Sequence, residues 1–228
     1  MLKSILESVI NQPDRYNNKL WTYRLSGNML EIMARPKYNQ DPDLYRMAVI
    51  RSGQVLQAFY QQARLKNQRT MIQSFPNMEE TSLVAVIRLL KPDEGAKSKT
   101  SDYFKNEQEP EESHPSMNPQ TLIAIASHYG MFLHPLCTDS SDLPKQELIF
   151  SELSIDLAGR SCFGLCSTSD NPFIWLKTGY WFERIRQLSE SNGSLSMPSI
   201  HDEISKEKRS GMCFMFEDCP FVQALVLS

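Results

Sequence analysis

One stretch constrains this chain more than any other: residues 165–200, reading LCSTSDNPFIWLKTGYWFERIRQLSESNGSLSMPSI. It opens on the end of an apolar run, 161–166, that suits a buried strand. Thr168, Ser169, Asp170 and Asn171 then offer side-chain oxygens that can cap a helix, and Pro172 follows, where its fixed φ and missing N–H do no harm. From there Ile174, Trp181, Ile185 and Leu188 fall on one stripe at helical spacing, broadened by Phe173, Tyr180 and Phe182. Gly193 can stop the helix in a left-handed conformation, and Pro198 forbids its early resumption. The spacing therefore predicts a strand, a capped helix, a glycine stop and an extended exit. A helix this apolar belongs deep in a core or in a subunit interface.

The rest of the chain alternates in the same way. Leu2, Ile5, Leu6, Val9 and Ile10 predict a short amphipathic helix ended by Pro13 and Asp14. Runs 20–25 and 29–34 flank Ser26-Gly27-Asn28, a hairpin signal. Asp41-Pro42-Asp43 starts the longest helix, reaching about Lys66, with Leu44, Met47, Ala48, Val55, Leu56, Phe59 and Ala63 on its buried face. Runs 70–75 and 83–90 read as strands, the second so apolar that it belongs in the middle of a sheet. A helix is expected over 119–129, a strand over 131–137, a helix over 143–158, and two strands at 213–216 and 222–227 around Cys219-Pro220. Residues 91–118 are rich in charge, Ser, Pro and Gly; they bury little and read as a lid or linker. The expectation is α+β: one domain over 1–228 with a central mixed or antiparallel sheet flanked by helices. No internal repeat is visible.

Composition removes several function classes. A net charge of −3 gives no nucleic-acid footprint. No run reaches the roughly 18 apolar residues that span a bilayer, and the amphipathic start lacks a signal peptide's apolar centre. A cytoplasmic protein without membrane contact is expected. The cysteine count is odd at 5 and no C-x-x-C occurs, so Cys162 and Cys166 read as buried thiols rather than disulfide partners. The histidines are scattered and no metal site is expected. No P-loop, G-x-G-x-x-G or nucleophile–base motif is present, so no catalytic residue can be named.

Two segments resemble the flavin-dependent nitroreductase-like family, and most closely its divergent, stress-associated bacterial branch. One is the helix above, through Thr168, Asp170, Pro172, Trp175, Leu176, Gly179, Glu183 and Arg184, then Gly193, Leu195 and Pro198. The other is PDRYNNKLWTY at 13–23, where Pro13, Asn17, Trp21 and Tyr23 match P-S-x-x-N-x-Q-P-W-x-F. There Asp14 replaces the family's Ser, Lys19 its Gln and Leu20 its second Pro. The resemblance covers roughly residues 2–90 and 161–227.

The resemblance implies a nitroreductase-like homodimer with FMN between subunits. It implies hydride transfer from NAD(P)H through FMN to an electron-poor small molecule. Asn17 would pair with the flavin's pyrimidine edge, and Lys19 would place positive charge there while Asp14 opposes it. At Pro198, Ser199 and Ile200 a backbone N–H would approach the ring nitrogen that accepts hydride. Two departures concern the phosphate. The family's Arg-rich opening is missing, and Leu225 stands where the branch has an Arg in its last strand. Arg15 and Arg209 are the candidate replacements, with Lys206 and Lys208 beside the latter. The competing expectation is a flavin-less relative that acts by binding, as a stress protein.

Overall fold

The amphipathic start folds as α1 (Leu2–Ile10), burying Leu2, Ile5, Leu6 and Val9. The computed structural model describes residues 1–11, 20–35, 41–77, 79–90, 119–135, 162–191, 199–201 and 221–227. Strands β1 (Trp21–Ser26) and β2 (Met29–Ala34) form the expected hairpin. Gly27, at φ +58°, takes the left-handed turn position that a side chain would strain. Helix α2 (Pro42–Leu65) is capped by Asp41, whose carboxylate accepts from the N–H of Asp43 at 3.0 Å and of Leu44 at 3.1 Å. β3 (Thr70–Ser74) and β4 (Leu83–Leu89) complete an antiparallel sheet of order β1-β2-β4-β3. The apolar run of β4 indeed lies inside the sheet. By register, Trp21, Leu30, Ile32, Ala34, Ala85 and Ile87 share one buried face. α2 packs on β1 and β2, and α1 on α2. Toward the end of β1, Tyr23 and Leu25 continue that face but stay exposed.

Tyr45, in the first turn of α2, donates its hydroxyl to the carbonyl of Thr81 at 2.7 Å. Burial pushes this phenol above its ordinary pKa, so the folded state favours the neutral form. A raised folded pKa contributes stability that is present below the unfolded value, about 10, and is lost as pH rises past it. Tyr45→Phe should lower stability by about 1 kcal/mol at neutral pH and flatten the decline above pH ~10. Urea midpoints of variant and parent on both sides of pH 10 check this; equal alkaline slopes would contradict it.

The second half builds α3 (Pro119–His128), β5 (Phe132–Pro135), β6 (Cys162–Ser167), α4 (Pro172–Ser191), β7 (Ser199–His201) and β8 (Phe221–Leu227). Its strands form a second antiparallel sheet of order β5-β6-β8-β7. The expected single central sheet is therefore corrected: the described residues form two four-stranded antiparallel sheets. An apolar run shows that a strand is central, but not which partners it takes. The chain divides into two compact units, Met1–Ser113 with Trp175–Glu183, and His114–Ile174 with Arg184–Ser228. The middle of α4 thus belongs with the first unit. The lid or linker at 91–118, the helix over 143–158 and the strand at 213–216 lie outside the described residues.

The two sheets share an arrangement although no repeat is visible in the sequence. Both sheets have the same strand order, β1-β2-β4-β3 against β5-β6-β8-β7, and in each half a described helix lies between the third-last and second-last strands, α2 between β2 and β3 and α4 between β6 and β7. β2 and β6 have 6 residues each, and β4 and β8 have 7. Each pair carries a register shift after the fourth residue of its six-residue strand. One shift falls between Ile32 and Met33 and skips Val84; the other falls between Leu165 and Cys166 and skips Gln223. Such bulges are placed features of a fold rather than accidents. Cys166, expected as a free thiol, is disulfide-bonded, to a cysteine whose side chain lies outside the described residues.

Candidate functional site

The polar run after β6 does cap the next helix, through one of its four candidates. Asn171 accepts from the N–H of Ile174 at 3.2 Å, which satisfies a first-turn donor of α4. The bulge in β8 turns Gln223 into the same corner, where it is fully buried. Its side-chain amide donates to Ser167 Oγ at 3.0 Å and to Asp170 Oδ1 at 3.2 Å. Ser167 in turn donates to the carbonyl of Ser169 at 2.6 Å, and Asn171 Nδ2 donates to Ser169 Oγ at 3.3 Å. Each donor has an acceptor, so the cluster joins the end of β6 to β8 and fixes the start of α4. It holds no general base beside a nucleophile, so its chemistry is that of a structural latch. One signal marked Gln223 beforehand: it is the single polar residue of the apolar strand FVQALVL.

Gln223→Leu removes from a buried corner the amide that bonds Ser167 Oγ and Asp170 Oδ1. The expected loss is about 2 kcal/mol, read as a lower urea midpoint at unchanged slope. A midpoint within error of the parent would mean that water replaces the amide without cost.

The residues that carry the family resemblance in α4 have packing roles. Pro172 opens the helix, Leu176 is buried, and Glu183 is 2% exposed. Trp175 meets Tyr45 edge-on with ring centroids 6.1 Å apart. Gly179 lies against α2: a Cβ built there would meet the carbonyl oxygen of Ile50 and come within 2.9 Å of both Gln54 N and Gly53 Cα. In the other matching segment, Trp21 is 2% exposed in the core face, and Tyr23 is exposed beside it. Pro13, Asp14, Arg15, Asn17, Lys19, Pro198 and Arg209 lie outside the described residues.

Ser199 and Ile200 lie in β7, in keeping with the extended exit expected after the helix. β7 is an edge strand, pairing Ser199 with Leu227 and Ile200 with Val226. Backbone N–H groups of successive strand residues point to opposite sides. One of the two therefore turns its N–H away from β8. Leu225, where the branch has Arg, pairs with Gly164 on one side and His201 on the other, inside the sheet. Among the described residues, no cluster of three His, Cys, Asp or Glu could hold a metal, and no helix is long and apolar enough to cross a membrane. His128, one of the scattered histidines, packs edge-on against Tyr129. No protein-family model matches the chain, and no curated protein matches it either.

Proposed function

We propose that this chain is an FMN-binding oxidoreductase of the nitroreductase-like type, taking hydride from NAD(P)H and passing it to an electron-poor small molecule. The observation that carries the reading is the edge position of β7. A strand at a sheet edge keeps outward N–H groups, and Ser199–Ile200 is where the resemblance requires a backbone donor to the flavin ring. Such a donor does not depend on side-chain identity, which accommodates Ser and Ile there. FMN would supply the hydride chemistry; the protein would orient the ring and tune its charge. Asn17 pairs with the pyrimidine edge, Lys19 favours the anionic reduced ring, and Arg15 or Arg209 takes the phosphate.

The visible absorption spectrum before and after adding FMN tests this reading. Asn17→Ala leaves a buried ring edge unpaired, at a cost of about 1–3 kcal/mol, and should weaken FMN binding roughly tenfold to a hundredfold. Arg15→Ala weakens it by a similar factor if Arg15 holds the phosphate, and leaves it unchanged if Arg209 does. Tight FMN binding unaffected by Asn17→Ala would place the ring elsewhere.

A second reading is a flavin-less binding protein. Trp175, Leu176 and Gly179 are engaged in packing, so structural roles alone account for three of the matching residues. Leu225 also removes the branch's last-strand cation. No binding at millimolar FMN selects this reading.

A further inference from the structure

The contact between α2 and α4 has the form of a subunit interface. A Cβ on Gly53 would strike the carbonyl oxygen of Leu176, and a Cβ on Gly179 would strike that of Ile50. Leu176 precedes Gly179 by as many residues as Ile50 precedes Gly53. With the two glycines matched, Ile50-Arg51-Ser52-Gly53 lies over Leu176-Lys177-Thr178-Gly179: apolar, basic, hydroxyl, glycine. Ser52 and Thr178 are both fully buried, and the next turn matches Gln57, 4% exposed, with Glu183, 2% exposed. The contacts are thus i to j and j to i between equivalent positions. That is the signature of an isologous, two-fold contact between identical subunits. Here it joins two helices that hold equivalent places beside two sheets with the same strand order and the same bulge.

We propose that the chain is a covalently fused homodimer, whose helix–helix interface is now internal, and that it works as a single chain. The Gly53 face of α2 is a self-association surface, and its partner is the equivalent face of α4 in the same molecule. Ile50 is already 0% exposed there, so the face is not available to another chain. Linking the copies also makes their pairing intramolecular, at an effective concentration in the millimolar range that a second free chain rarely matches. The inference is independent of flavin and replaces the homodimer that the resemblance implied.

Light scattering of the full chain at low and high micromolar concentration tests it. The expected mass is that of one chain, 26.2 kDa, at both. The thermal midpoint should not change between the two concentrations, because no association accompanies folding. Gly179→Leu should lower the midpoint while the mass stays that of one chain. A two-chain mass for the parent, a midpoint that rises with concentration, or conversion of a two-chain species to one chain by Gly179→Leu would overturn the proposal.

Discussion

Gly179→Ala destabilises this protein by about 2 kcal/mol or more, although alanine is the better helix former. Alone on a helix, the change would gain roughly 0.5–1 kcal/mol. Here the added methyl overlaps the carbonyl oxygen of Ile50 and crowds Gln54 N and Gly53 Cα, each at 2.9 Å. All three are backbone atoms, so no rotamer change relieves the overlap and the two helices must separate. Overpacking of this kind costs about 1–3 kcal/mol, and separating the helices also loses the close contacts around them. In a chain of 228 residues that corresponds to a midpoint roughly 4–8 °C lower. Gly53→Ala should behave alike, since its methyl meets Leu176 O and comes within 3.1 Å of Gly179 Cα. The double variant should cost less than the sum, because helices already moved apart for one methyl partly accommodate the other. Thermal melts of the three variants decide the matter. A Gly179→Ala variant more stable than the parent would show that the helices do not approach this closely.

Trp181→Ala should be more damaging still. The indole is fully buried in α4, tilted against Phe182 with ring centroids 5.6 Å apart. Truncating a buried aromatic to alanine costs about 3–5 kcal/mol, the transfer loss plus the cavity left behind. Trp181→Phe should cost far less, under about 1.5 kcal/mol. Its smaller ring gives up some packing, but it also removes an indole N–H that is buried and has no hydrogen-bond partner among the described residues. An unmet buried donor costs about 1–3 kcal/mol, so its removal offsets most of the lost area. Denaturant midpoints of the two variants separate the contributions. If Trp181→Phe proved as costly as Trp181→Ala, the indole N–H would have to be bonded in solution.

The two predictions depend on features of different legibility. Trp181 was visible in the sequence as a member of a helical apolar stripe, and its burial follows from that periodicity. Gly179 gave no such signal. A glycine within a helical pattern reads as a small propensity cost, and only its neighbour in space, Ile50, shows why a side chain is excluded.

Local physics determined most of the elements. The spacing of Leu2, Ile5, Leu6 and Val9, the Asp41-Pro42 start, Gly27 in its turn and the apolar run of β4 each act within a few residues, and each element formed where the sequence placed it. Of the candidate site, the sequence supplied the motif residues but not their surroundings. Ser199 and Ile200 read as an exit from a helix, because a three-residue strand is too short to show alternation; only pairing with β8 makes it one. Gln223 was legible as a misplaced polar residue, yet Ser167 and Asp170 come to it from more than fifty positions away. The arrangement shared by the two sheets was hidden for a related reason. Two sheets can share strand order and bulge position while nearly every side chain differs, because both are set by backbone pairing. The sequence thus fixes what each segment can be. Which segments meet is decided by burial and backbone hydrogen bonding between residues far apart in the chain, which no window of sequence contains.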